Sequence, residues 1–161
     1  AEPEFAFRFG RDLTPRAHSY KVDEVMSAVE CLHLAIELPD SRFEDFASVG
    51  GPTLIADNAC AHELVLGGRV DADWRALDLS QHRVVATMPR TGTREGIGKN
   101  VFGDPRTALT WIVNELSGLG MTVRRDIFVT TGTCMTPLAI IEGDKVSADF
   151  GALGSISVAF E

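Results

Sequence analysis

Residues 2–9, Glu-Pro-Glu-Phe-Ala-Phe-Arg-Phe, alternate without a break. Glu2, Glu4, Ala6 and Arg8 fall on one side, and Pro3, Phe5, Phe7 and Phe9 on the other. A period of two with three phenylalanines on one side predicts a strand whose aromatic face lies in a core. The same geometry sets Glu2 and Glu4 on the opposite face about 7 Å apart, because residues i and i+2 of a strand share a side. Carboxylates held that close repel unless a proton, water or a cation stands between them. A chain built on this strand must therefore make a sheet with one apolar face and one acid-bearing face. The sequence opens on the strand without a methionine, so the expectation is a single domain over 1–161 that follows an N-terminal region.

The remaining pattern is strand-rich. Residues 10–21 are polar and carry Gly10 and Pro15, as a connecting loop does. Val22, Val25, Met26, Val29, Leu32 and Ile36 recur at helical spacing, with Asp23 and Glu24 near the positive end of the dipole. That register breaks near Ala35-Ile36-Glu37-Leu38, where a strand ended by Pro39 is the alternative. Residues 39–53 read as loop, Glu63 to Leu66 and Gln81 to Met88 as strands, and Pro89 to Gly103 as a surface loop. Asp104 as N-cap, Pro105 at the first helical position and Gly118 or Gly120 at the end predict a helix over about 104–119. Ile127-Phe128-Val129 reads as a strand leading into a turn at Thr130-Thr131-Gly132-Thr133. Lys145 to Phe160 reads as two strands around Gly151-Ala152-Leu153-Gly154. Helices and strands do not alternate as βαβα, which favours α+β over a doubly wound sheet.

Composition narrows the partners. With 161 residues the chain fits one domain, and its formal net charge of −8 opposes binding to nucleic acid or an anionic membrane. No apolar run reaches the roughly 18 residues that span a bilayer. Cys31, Cys60 and Cys134 are odd in number and widely spaced, which predicts reduced thiols in a cytoplasmic protein rather than disulfides or a thiolate zinc site. His18, His33, His62 and His82 share no ligand spacing and read as surface or structural residues.

Any metal site must then come from carboxylates. Glu2 and Glu4 are one pair, and Glu37 is a third candidate because it sits inside the apolar run Leu34-Ala35-Ile36-Glu37-Leu38, where an acid is costly unless paired or metal-bound. Hard oxygen ligands of this kind suit Mg²⁺ or Mn²⁺. Ser155 and Ser157 lack the nucleophile-elbow pattern. Gly96-x-Gly98 lacks the preceding strand and the third glycine of a dinucleotide loop.

Several segments together resemble a known family. Glu2-x-Glu4-Phe5-Ala6-Phe7, Ala35-Ile36-Glu37-Leu38-x-x-Ser41-Arg42 and Ala56-Asp57-Asn58-Ala59 are similar to the 2-keto-4-pentenoate hydratase and 4-oxalocrotonate decarboxylase branch of the fumarylacetoacetate hydrolase superfamily, in its C-terminal catalytic domain. Gly96-x-Gly98-x-x-x-x-Gly103-x-Pro105, Asp126-Ile127 before Thr131-Gly132-Thr133, Glu142-Gly143-Asp144 and Gly154-Ser155-Ile156-Ser157 continue the likeness in order.

The resemblance implies an α+β fold, mostly β, with rolled mixed sheets and flanking helices. It implies Mg²⁺ (or Mn²⁺) on Glu2, Glu4 and Glu37, and self-association into a homo-oligomer. Asn58, Thr131 and Thr133 are the candidate contacts to a small 2-oxo acid substrate. The segment matching Ala56 to Cys60 carries a lysine in relatives that hydrolyse carbon–carbon bonds, and Asp57-Asn58-Ala59 here is hydratase-like. Relatives often carry histidine where Asp104 stands, so that histidine's role is in doubt here. The implied activity is hydration of a 2-hydroxy-2,4-dienoate in aromatic meta-cleavage catabolism. The alternatives are decarboxylation of a 4-oxalocrotonate-type acid or a non-catalytic assembly subunit. The acid–base lysine is expected in the region before the Glu2 strand, so residues 1–161 alone are expected to bind metal with weak or no turnover.

Overall fold

The computed structural model describes residues 1–161 and contains eight strands in two four-stranded antiparallel sheets. The first sheet has the order β3-β2-β1-β6, from β1 (Glu2–Phe9), β2 (Val29–Leu38), β3 (Glu63–Arg69) and β6 (Phe128–Thr133). The second has the order β5-β4-β7-β8, from β4 (Arg83–Met88), β5 (Gly92–Ile97), β7 (Lys145–Asp149) and β8 (Ser155–Ala159). Three helices, α1 (Val22–Ala28), α2 (Gly51–Ala56) and α3 (Pro105–Gly118), join them. This is the α+β, mostly β arrangement that the sequence pattern favours.

Phe5, Phe7 and Phe9 are fully buried, as the alternation requires. The Phe5 ring meets Phe150 edge-on, with centroids 5.3 Å apart, and Phe7 packs on Trp74 at 5.8 Å. The inward side chains Val84, Ala86, Met88, Val146 and Ala148 of the second sheet join the same core. One apolar interior thus backs β1 and fixes which way its carboxylates point.

Helix α3 begins as expected. The Asp104 carboxylate accepts the Arg106 backbone N–H at 2.7 Å, and Pro105 occupies the first turn.

The helical reading from Val22 is corrected: α1 ends at Ala28, and Val29 to Leu38 form β2, paired residue for residue with β1 from Glu2↔Glu37 to Arg8↔Cys31. Both spacings were present in the sequence, and the ladder with β1 decided between them. The loop read over Pro89 to Gly103 is likewise corrected, because Gly92–Ile97 folds back on β4 as a strand. Gly96 and Gly98 are needed there for space. A Cβ on Gly98 would lie 1.9 Å from the Leu79 carbonyl oxygen, and one on Gly96 would lie 2.3 Å from that of Cys134. The turn read at Thr130 to Thr133 is part of β6, with a bulge described below. No helix is long and apolar enough to cross a membrane.

Candidate metal centre

The β1–β2 register sets Glu2 directly opposite Glu37, and the strand period brings Glu4 to the same face. One carboxylate oxygen from each of Glu2, Glu4 and Glu37 lies within 4.8 Å of the others. The three candidates chosen from sequence do meet.

They are not equivalent. Glu4 is 1% exposed, while Glu2 and Glu37 are half-buried. Opposite Glu4 the β1–β6 ladder slips, from Glu4↔Thr133 to Ala6↔Thr130. This bulge places Gly132 at φ +106°, a conformation that glycine adopts without strain. The Gly132 N–H consequently turns onto Glu4 Oε2 at 2.8 Å. Glu4 Oε1 is buried and accepts no hydrogen bond. A buried unpartnered carboxylate oxygen is costly, and a cation or a shared proton is what answers it.

Burial pushes the Glu4 carboxyl up to about 8, with the neighbouring Glu37 and Glu2 charges adding to the rise and the Gly132 N–H opposing it. Burial, then Glu37, also raises Glu2. Three carboxylates gathered in one partly shielded place form a donor set suited to a divalent hard cation, which would relieve the repulsion and fill the open coordination of Glu4 Oε1.

A cavity of about 540 Å³ borders Glu2 and Glu37 and is walled by Pro39, Asp40, Ser41, Phe43, Glu44, Phe46, Leu54, Ala59 and Cys60. Its outer wall is the segment from residue 39 to residue 60, whose helix α2 buries none of its side chains. Asp57 anchors that segment. Its carboxylate, 3% exposed, accepts the Ser41 hydroxyl at 2.7 Å, the Arg42 N–H at 3.2 Å and the Arg42 guanidinium. The Ser41 hydroxyl first, then Arg42, holds Asp57 below the usual carboxylate range.

The three candidate substrate contacts are not brought to this cavity together. Asn58 is exposed, in a left-handed backbone conformation, and its amide donates to the Ala61 carbonyl at 3.3 Å. The hydroxyls of Thr131 and Thr133 donate to the backbone carbonyls of Phe5 and Met135, each at 3.0 Å. Both threonines line a second cavity, of about 530 Å³, with Phe102 and Trp111.

Sequence reasoning missed the Phe43, Phe46 and Leu54 wall, the Asp57 anchor and the use of the Gly132 N–H. A glycine between two threonines in a β pattern was a readable bulge signal. The pairing of Asp57 with Arg42 across 15 residues carried none.

Cys31, Cys60 and Cys134 are free and buried, with the Cys31 thiol 3.3 Å from His33 Nε2 and His33 Nδ1 2.9 Å from the Gly67 carbonyl oxygen. His82 Nε2 lies 2.7 Å from the Phe150 carbonyl oxygen. These two histidines are held by backbone contacts, in keeping with a structural role.

Comparison with known proteins shows likeness in sequence and in fold. No family model matches the chain. It is 30% identical to 2-keto-4-pentenoate hydratase 1 of Dechloromonas aromatica (strain RCB), over 99% of this chain and 59% of that protein. In structure it matches 4-oxalocrotonate decarboxylase from Pseudomonas putida G7, complexed with magnesium and adipate, at TM-score 0.85 and 24% identity, over 99% of this chain and 59% of that one. It also matches a protein of Yersinia pestis CO92 assigned to the fumarylacetoacetate hydrolase family, at TM-score 0.68 and 15% identity, over 99% of this chain and 72% of that one. The chain spans about three-fifths of the length of the curated relative.

Proposed function

We propose, from the premise that this chain is a relative of the 2-keto-4-pentenoate hydratases and 4-oxalocrotonate decarboxylases with the fumarylacetoacetate hydrolase fold, that residues 1–161 form a single metal-binding catalytic domain that serves the hydration of a short 2-hydroxy-2,4-dienoate. The observation that carries the reading is the convergence of Glu2, Glu4 and Glu37, with Glu4 Oε1 buried and unpartnered.

Glu2, Glu4 and Glu37 would hold Mg²⁺ or Mn²⁺, and the magnesium in the decarboxylase neighbour supports that choice. When bound, the cation supplies Lewis acidity and a template for the carboxylate and adjacent oxygen of a 2-oxo acid. Gly132 fixes Glu4 by its N–H, so that one oxygen is directed and the other stays free. Phe43, Phe46 and Leu54 give the cavity an apolar wall, and the Asp57–Arg42 contact ties their segment together. No lysine or histidine lines this cavity. The buried free thiols support a cytoplasmic setting, and exposed Phe102 and Trp111 support self-association.

Decarboxylation of a 2-oxo acid is the second reading, favoured by the TM-score of 0.85 to the decarboxylase. It has the same requirement for a cation on the three glutamates, and assaying released CO₂ beside hydration separates the two.

Calorimetric titration with Mg²⁺ and Mn²⁺ tests the site. Wild type is expected to bind, oxalate is expected to tighten binding, and Glu4→Ala is expected to abolish it. Undiminished Mn²⁺ binding by Glu4→Ala would overturn the assignment.

A further inference from the structure

The face of the first sheet that carries the three glutamates carries a second polar cluster toward its other end. Arg8 stands directly across the ladder from Cys31, and Ala6 from His33. Cys31 and His33 share a side of β2, two positions apart. Cys31 is 2% and His33 9% exposed, and the Cys31 sulfur lies 3.3 Å from His33 Nε2.

A third atom settles where the protons of this pair sit. His33 Nδ1 is 2.9 Å from the Gly67 carbonyl oxygen, which can only accept, so Nδ1 carries the hydrogen. In the neutral ring Nε2 then turns its lone pair to Cys31, and the thiol is the donor. Nucleophile, base and an anchor that orients the base are in contact, which is the arrangement that activates a thiol. The Arg8 guanidinium lies next to the sulfur, tethered by Glu30 at 2.8 Å and by Asp126. Of the three thiols, only that of Cys31 has a histidine partner. Neither Cys31 nor His33 lines the cavities of about 290 to 600 Å³, so a reactant has to be close to water in size. The neighbours of the pair that reach solvent are Arg8 and Phe128, whose ring meets His33 edge-on at 5.1 Å.

We propose that Cys31 is an oxidative modification site, a thiol that His33 activates for reaction with hydroperoxides. His33 Nε2 takes the thiol proton, and the sulfur attacks one oxygen of hydrogen peroxide. The O–O bond breaks, and the leaving hydroxide takes the proton from His33 and departs as water. Sulfur is oxidised by two electrons to the sulfenic acid, and the peroxide is reduced.

The test exposes the folded protein to hydrogen peroxide with dimedone as the trap for sulfenic acid, and reads each cysteine by peptide mass spectrometry. Cys31 is expected to be trapped about tenfold or more faster than Cys60, although Cys60 is the more exposed at 8%. Cys134, whose thiol is pushed up to about 12 by burial and then by Glu4, is expected to react more slowly still. In urea the preference for Cys31 should vanish, because the pairing with His33 is made only by the fold. His33→Gln, whose amide cannot take the proton, is expected to slow trapping at Cys31 by about tenfold or more. Trapping at Cys60 or Cys134 that matches or exceeds Cys31 in folded wild type overturns the proposal, whether or not the variant folds. A preference that persists in urea does the same. So does an unchanged rate at Cys31 in a His33→Gln protein whose circular dichroism matches that of wild type.

Discussion

The two sheets of this protein are alike in size and opposite in how they treat their second face. Along β4 and β7 of the second sheet burial alternates, with Val84, Ala86, Met88, Val146 and Ala148 inside and Arg83, Thr87, Lys145, Ser147 and Asp149 outside. Along β1 of the first sheet both sides are closed: Phe5 and Phe7 are at 0% exposure on one, Ala6 and Glu4 at 0% and 1% on the other. The charges of the second sheet stand in water, where an ion pair such as Arg83–Glu95 is worth little. The acids of the first sheet are partly withdrawn from water, which raises the cost of their charge and gives a cation something to stabilise. Shielding, more than the number of acids, separates the candidate site from the rest of the acidic surface.

The largest expected effect breaks the feature that the sheets share. Phe5→Ala removes a fully buried ring from the interface with Phe150 and is expected to cost about 3–5 kcal/mol in urea unfolding. A loss below about 1 kcal/mol would mean that the two sheets do not depend on a common core.

The next effect belongs to the shielded face alone. In the metal-free protein the Glu4 carboxyl is raised from 4.5 to about 8, so the unfolded chain gives up this proton more readily than the folded one. The associated stability is full below 4.5 and is lost as pH rises through about 8. Metal-free wild type should therefore lose stability across that window relative to Glu4→Gln, which cannot ionise there. Thermal unfolding of both proteins at pH 4 and pH 9 checks it, and parallel curves would show that Glu4 is not shielded.

The smallest effect sharpens the contrast from the open side. Thr87→Ala removes one cross-strand hydroxyl contact with Thr93, at 3.3 Å, and should change stability by no more than about 0.5 kcal/mol. Chemical denaturation reads this directly, and a cost of several kcal/mol would show that the outer face of the second sheet is also covered.

Legibility from sequence followed the range of the interactions. β1 could be read to the residue, because alternation is local and three phenylalanines leave one side no other place to go. The start of α3 was readable for the same reason, since cap and first turn are neighbours. The Val22 to Leu38 segment carried both periods at once, and only pairing with β1 turned Val29 onward into a strand. β5 was hidden because glycines that allow close backbone packing also look like loop punctuation. In the candidate site, Glu2 and Glu4 followed from the strand period, and Glu37 from its apolar neighbours together with the family likeness. The cavity wall did not follow, because it depends on Asp57 reaching back to Ser41 and Arg42.

The direct opposition of Glu2 and Glu37 also governs which changes in chain length the site can absorb. A residue gained or lost at the exposed positions between β1 and α1, such as Arg16 to Ser19, leaves the ladder intact. One residue inserted between Cys31 and Glu37 turns the acid to the other side of the sheet, toward the phenylalanines, and a two-residue insertion restores its side but moves it along the strand. Length variation among functional homologues should accordingly gather in the connections and the outer wall, and spare the ten residues of β2.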